Sequence, residues 1–450
     1  MIRRTSFVLL EVVLGVTVLL GVLVAASAWR LSQGPLSIQF LLPYAEDLLL
    51  REDTRFRAEL DDLILTWAGW ERALDIRAVG VRLREKDAVR ALARVGEVSV
   101  TFSARALIQG KIAPTSLELI RPRIRLVRDE NGKIEFGMGD TEGQPEAKGG
   151  DVLTMLLAEL SAPARSESGL RYLNRISVVG AAMRVENRQL GITWGTRHAD
   201  ITIERAPIGL RATFDLDIDL DADLRTPRPE FHGEAYFDRT AKLVDIAFTY
   251  NRLNPNVIGR RFAALADLTA LKTDLNGDAE LRVDLDGNVK RAKFRVSGAG
   301  GTFAAPGINT APLAFKKIEA QGELNRSPDQ LKLGRMNIDF GTTKATLSGV
   351  VTRIGETAAI NATIGLPAMP VDDLGKYWPP DAGVGARTWV LANMRGGSFN
   401  DFSASLTARV RLGGRNAGSM DVDSINGRFN IDGVTINYLN PMPPITNASA

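Results

Sequence analysis

Two histidines, His198 and His232, and a run of aspartates on alternate residues from Asp215 to Asp223 are the side chains here whose types and spacing point to chemistry. Carboxylates two residues apart on one strand face can hold a cation. The same ladder is also what a solvated strand face looks like, and that reading is preferred. Asp284-Leu285-Asp286-Gly287-Asn288 resembles the front of a calcium loop but lacks the expected later glutamate, so turn chemistry accounts for it better. His198, between Arg197 and Ala199, reads as a structural or solvated histidine. The chain has no cysteine, which excludes thiolate metal sites and disulfides. H-E-x-x-H, the P-loop, G-x-S-x-G and G-x-G-x-x-G are all absent. No catalytic, cofactor-binding or metal-binding residue is assigned, and no enzymatic activity or cofactor is expected.

The elements that carry these residues are mostly strands. Phe214, Leu216, Ile218, Leu220 and Leu224 alternate with Asp215, Asp217, Asp219, Asp221 and Asp223, which predicts a strand with one apolar and one wet face. Leu281, Val283 and Leu285 alternate likewise, turn at Asp286-Gly287-Asn288, and return through Phe294 and Val296. Ile124 and Leu126 lead through Asp129-Glu130-Asn131-Gly132 to Ile134 and Phe136 in the same way. Two helices are predicted, over Asp151–Leu160 and near Ala386–Met394, with a polar loop over Thr141–Gly150. So much one-sided sheet must cover its apolar face by a second sheet, by barrel closure or by curling into a trough. Periodicity is compatible with all three.

Lys and Arg number 56 against 53 Asp and Glu, a formal charge of +3 scattered between strands, so nucleic acid is not an expected partner. Phe7 to Trp29 is an apolar run broken by Glu11, Thr17 and Ser27. As a helix it would span about 35 Å, enough for a ~30 Å hydrocarbon core. Its length favours a retained anchor over a cleaved signal, although Ala25-Ala26-Ser27-Ala28 imitates a cleavage site. Arg3 and Arg4 put the N-terminus on the cytoplasmic side. Phe7 through Glu11 resembles the start of a type IV pilin, but Ser6 stands where pilins carry glycine.

Three stretches in order resemble the AsmA-like superfamily, most nearly its YhdP-type branch. They are Trp29-Arg30-Leu31-Ser32-Gln33-Gly34-Pro35 after the apolar run, the region from Leu63-Ile64-Leu65-Thr66-Trp67 to Arg121-Pro122-Arg123-Ile124-Arg125-Leu126, and Tyr377-Trp378-Pro379 with Ala386-Arg387-Thr388-Trp389-Val390 and Gly396-Gly397-Ser398-Phe399. The resemblance implies a mostly β protein with an N-terminal transmembrane helix, an elongated, curled antiparallel β-groove and a few short helices. The implied location is a bacterial inner membrane, single-pass, with the body in the periplasm. The implied role is outer-envelope lipid homeostasis, conducting membrane phospholipid along the groove, with envelope proteins as further partners. The apolar residues Phe214, Leu216, Ile218, Leu220, Leu281, Val283, Leu285, Phe294 and Val296 are then expected to line the groove. The alternative is a structural or assembly factor for outer-membrane proteins that binds partners through a sheet edge.

The expected organisation is a cytoplasmic tip at 1–6, the transmembrane helix at 7–29, a juxtamembrane helical segment at 30–60 and an AsmA-like β region at 61–140. A polar loop with a short helix follows at 141–168, then the groove region at 169–450. That region is expected to continue beyond Ala450, because the chain stops just after a strand over Arg428–Leu439.

Overall fold

The computed structural model describes residues 29–30, 34, 36–42, 56–66, 74–85, 91–103, 106, 109, 113–138, 160–161, 172–189, 191–219, 228–304, 311–380, 383–411, 420–439 and 441–450. The chain forms two compact units. The first comprises residues 1–129, 134–185 and 196–212, and the second residues 130–133, 186–195 and 213–450.

In the first unit the strands are β1 (Leu36–Ser37), β2 (Phe56–Glu59), β3 (Asp62–Thr66), β4 (Leu74–Glu85), β5 (Ala91–Phe102), β6 (Pro114–Ile120), β7 (Arg123–Arg128), β8 (Ile134–Met138), β9 (Arg175–Asn187) and β10 (Ile192–Ala206). The last two run into segments of the second unit at their ends. β3, β4, β5 and β6 pair antiparallel in sequence order, and β9 joins β6 in parallel, Leu117 opposite Ile176. Among the described residues two apolar clusters hold this unit. Ile38, Leu60 and Leu63 are buried with Leu65, Ile76 and Val81 around them, and Leu160, Leu173 and Ile176 are buried against Leu117 and Ile203. Asp75 is buried too, and it accepts hydrogen bonds from the Ser99 and Thr66 hydroxyls. A buried carboxylate without such partners would cost several kcal/mol, on the order of the desolvation of one ion.

The second unit is built on a meander. β11 (Gly209–Asp217) enters from the first unit, and β12 (Glu230–Asp238), β13 (Leu243–Leu253), α1 (Pro255–Arg261), β14 (Leu271–Lys272), β15 (Leu275–Asp284), β16 (Val289–Phe303), β17 (Leu313–Arg326), β18 (Asp329–Asp339), β19 (Lys344–Ile354) and β20 (Thr357–Pro370) follow. After them come α2 (Leu374–Tyr377), α3 (Val384–Asn393), β21 (Met394–Arg395), β22 (Ser398–Arg411), β23 (Met420–Asp432), β24 (Val434–Ile436) and β25 (Ile445–Ala448). The long strands pair antiparallel from β12 to β13, β15, β16, β17, β18, β19, β20, β22 and β23. β21, β24 and β25 make a small second sheet. It closes over Met369, Val371, Met394, Phe399 and Val434, all buried.

Period-two sequence explains the faces. In β13, Val244, Ile246, Phe248 and Tyr250 are half-buried on one side, and Asp245, Ala247, Thr249 and Asn251 are exposed on the other. On the polar face opposite charges meet across strands: Asp245 with Arg282, Asp278 with Arg295, Glu323 with Arg291. The apolar face is covered largely by its own side chains. Aromatic rings lie across glycines of the neighbouring strand, so that a Cβ at Gly322 would meet the Phe294 ring at 2.6 Å and one at Gly277 the Tyr250 hydroxyl at 2.7 Å. Phe231, Phe248 and Tyr250 form a chain of tilted rings 6.0 to 6.3 Å apart.

These observations correct two expectations. The curled groove is not found: among the described residues no sheet is closed or curled, and the long strands form an open meander. Large side chains over small ones pave the apolar face instead of leaving a trough. The transmembrane helix is not supported either. Among the described residues no helix is long and apolar enough to cross a membrane. The longest that carries a label, α3, has 10 residues and spans about 15 Å, half a hydrocarbon core. Residues 7–28 of the expected span lie outside the described residues, as does the helix expected over Asp151–Leu160 apart from its last residue.

Candidate interaction edge

The meander ends on β23. Its inner side pairs with β22, Ser405 opposite Asn426, Leu406 opposite Ile425, Thr407 opposite Ser424 and Ala408 opposite Val422, so that Asp423 is the extra residue of a bulge. Directly opposed residues share a face. Leu406 and Ala408 lie on the apolar face of β22, and Val422, Ile425, Gly427 and Phe429 continue that face onto β23. The bulge keeps Val422 in phase with Ile425.

The outer side of β23 is bonded at Ile431 by Ala450, the last residue given. The Ile431 N–H donates to the Ala450 carbonyl at 2.8 Å, and the Ile431 carbonyl accepts from the Ala450 N–H at 3.1 Å. Ile431 therefore aims both backbone groups outward. Antiparallel pairing repeats every second residue, so Phe429, Gly427 and Ile425 aim theirs outward too. Among the described residues no second strand pairs with Asp421–Asn430. Val422 is 47% exposed, Ile425 64% and Phe429 51%, although Ala408, opposite Val422, is fully buried. Proteins usually blunt such an edge with lysine, proline or a bulge. Here there is a bulge, but Met420–Asp432 contains neither lysine nor proline.

Charge on the polar face of this edge is uneven. Arg409 on β22 is bonded to Asp423, which holds its guanidinium above the ordinary value, and Asp421 adds to the effect. Asp421 and Arg428 form no ion pair of their own among the described residues.

The residues singled out in sequence fall elsewhere. Phe214 and Leu216 are half-buried on β11, Ile218 is half-buried just past its end, and Leu220 lies outside the described residues. Leu281 and Val283 on β15 and Phe294 and Val296 on β16 are half-buried on one apolar face, and Leu285 is exposed in the turn. The acidic ladder binds side chains. Asp215 meets His232 at 3.2 Å, and Asp217 and Asp219 share Arg228 at 3.0 and 3.8 Å. His198 lies 3.3 Å from Asp200. No cluster of metal-ligating residues occurs among the described residues. On the polar face two adjoining hollows of about 410 and 400 Å³ share Asp278, Arg295 and Gln321, and an ion pair occupies their common wall.

The calcium-like segment is a turn. Asp284 accepts the N–H of Asp286 at 3.1 Å and of Asn288 at 2.8 Å, and Lys290 sits 2.8 Å from its other oxygen. Lys290, then the Asn288 N–H, hold the Asp284 carboxyl well below the usual carboxylate range. A depressed folded value stabilises the turn above the unfolded value of about 3.9, and the contribution is lost as pH falls through the folded value. A carboxyl-carbon NMR titration is expected to show Asp284 still ionised below pH ~3. An ordinary midpoint would mean that the turn does not hold it.

No family model, no curated protein and no solved structure matches this chain. That finding overturns the AsmA-like, YhdP-type resemblance: its motifs are short and loose, and the implied fold is not found. With it go the phospholipid conduit, the phospholipid and inner-membrane partners and the single-pass inner-membrane location, none of which any observed element supports. The β23 edge escaped the sequence reading, which placed a strand only from Arg428 onward. Its legible signal was an alternating stretch, Met420–Asp432, without lysine or proline.

Proposed function

We propose that this chain is a structural scaffold, not an enzyme, that binds a polypeptide partner by adding an extended segment to the outer edge of β23. The observation that carries the reading is that, among the described residues, Asp421–Asn430 pairs on one side only, with Val422, Ile425 and Phe429 exposed on the face that the neighbouring strands half-bury. An added strand supplies acceptors and donors to the outward backbone groups of Ile425, Gly427 and Phe429, and it lays every second side chain against the exposed apolar row. Alternation in the partner therefore sets specificity, and main-chain bonding supplies affinity. The chain pairs its own Ala450 with this edge at Ile431, which supports the edge as a strand acceptor. Ion pairing of the acids and bases on the polar face supports a binding role over a catalytic one.

The test is amide hydrogen exchange with and without a synthetic decapeptide of alternating valine and threonine. Slowed exchange at Ile425, Gly427 and Phe429 is expected, with no change when proline replaces the peptide's central residues. Unchanged exchange at those three amides, with the peptide in excess over a monomeric chain, would rule the reading out.

A further inference from the structure

We infer that the polar face of the second unit carries a binding site for an acidic sugar, seated over Gln321 between Arg295 and Arg335. The site lies on β15 to β18 and stands or falls independently of strand addition at β23.

Charge order across the strands singles it out. One row of directly opposed residues reads Glu280, Lys293, Glu323 and Lys332, and its charges alternate in sign. Opposite charges facing each other across strands offset one another, so this row is complete. The next row reads Asp278, Arg295, Gln321 and Arg335. Alternation breaks there at Gln321, a neutral carboxamide between two cations. Arg295 is bonded to Asp278 at 3.0 Å. The two acids that flank Gln321 along β17 also have cations of their own: Glu319 is bonded to Lys317 at 2.7 Å and Glu323 to Arg291 at 2.6 Å. The Gln321 and Arg335 side chains form no ion pair or hydrogen bond among the described residues. One guanidinium is therefore left over, beside an amide free to donate.

A bulge presents that guanidinium. β18 sets Arg335 opposite Gln321 and Leu333 opposite Gly322, so Gly334 is the extra residue. The register with β19 slips at the same place, between Leu333 and Met336. In a regular strand, alternation from Lys332 would put Arg335 on the apolar face. The extra residue turns it onto the polar one. A Cβ added at Gly334 would stand 3.9 Å from the Gln321 Nε2, so the carboxamide lies beside the bulge.

The hollow around the pair sets the ligand class. Gln321 and Arg335 line a space of about 410 Å³ together with the amides of Asn276 and Asn337 and the Ser297 hydroxyl. Small-molecule sites of this size are mostly lined by apolar groups; this one offers amides and a hydroxyl. A guanidinium takes a carboxylate or a phosphate through two parallel N–H···O bonds. Carboxamides and hydroxyls donate and accept at once, as sugar hydroxyls do. A simple anion leaves the Asn337 and Ser297 side unmatched, and a neutral sugar leaves the charge unmatched.

The test is an NMR titration of the full chain, followed at the Gln321 carboxamide and the Arg335 guanidinium N–H. The probes are D-glucuronate for the carboxylate, D-glucose-6-phosphate for the phosphate, and D-glucose and acetate as controls. At least one acidic sugar is expected to bind saturably, with a dissociation constant on the order of 1 mM, about tenfold or more tighter than glucose or acetate. The tighter of the two acids tells carboxylate from phosphate. Arg335→Gln should weaken that binding at least about tenfold. Lys332→Gln, in the row whose charges already alternate, should change it less than about threefold. Gln321→Glu gives the broken row its own carboxylate and should abolish binding without lowering the thermal midpoint. All three positions are exposed, so circular dichroism should show an intact fold in each variant. Binding of the acidic sugar to Gln321→Glu or Arg335→Gln as tight as to the native chain would overturn the site. Acetate or glucose binding as tightly as both acids would overturn the ligand class. Absence of any saturable shift at concentrations on the order of tens of millimolar would overturn both.

Discussion

Phe399→Ala is expected to destabilise the second unit by about 3–5 kcal/mol, the range for truncating a buried aromatic residue. Phe399 is only 6% exposed. It starts the cluster of Met369, Val371, Met394 and Val434 that joins the small β21–β24–β25 sheet to the end of the meander. Its ring also meets Phe429 edge-on, centroids 5.1 Å apart at 72°. Truncation therefore leaves a cavity and removes the support of the one aromatic residue on β23. Two measurements follow. Guanidinium unfolding, followed by tryptophan fluorescence, reads the loss of stability. Hydrogen exchange along β23 should quicken more than along β15 or β16, because β23 rests on this ring through Phe429 and Ile431 and those two strands do not. A loss below about 1 kcal/mol would show that the cluster does not pack as a core.

The second large effect separates backbone strain from close contact. Gly396 and Gly397 both have positive φ, 62° and 65°. Any L-residue there pays a conformational cost of roughly 1–2 kcal/mol. Gly396 has nothing within 4 Å of an added Cβ, and Gly397→Ala would drive its Cβ to 2.3 Å from the Asp432 carbonyl oxygen and 2.7 Å from the Val434 nitrogen. Those are backbone atoms of the link between β23 and β24, and they can yield only if the small sheet shifts. Gly396→Ala should therefore cost about 1–2 kcal/mol, and Gly397→Ala about 2–5 kcal/mol once overpacking of about 1–3 kcal/mol is included. Equal costs in urea denaturation would mean that β24 can move aside freely. That would argue against a rigid anchor behind β23.

An apolar face repeated over many strands demands cover, and a trough with a lipid in it is one solution. Gly277 and Gly322 carried the other. Each stands opposite an aromatic residue of the next strand, Tyr250 and Phe294, whose ring folds over the vacant position. That relation depends on register across strands about 20 to 30 residues apart in sequence, and single-strand periodicity does not hold register.

What the sequence determined by itself is local. Alternation fixed the two-faced strands of β13, β15 and β16, because successive side chains on an extended chain must point to opposite sides. Asp284 to Asn288 fixed a turn, because one carboxylate can accept two nearby N–H groups. The tertiary structure alone decided which strand pairs with which. β23 has the same alternating chemistry as the strands inside the meander, and only the pairing order sets Ile425 opposite Leu406 on β22 and Ile431 against Ala450 on its other side. Hydrogen-bond completion is a property of the pairing between strands, so no stretch of residues read alone can contain it.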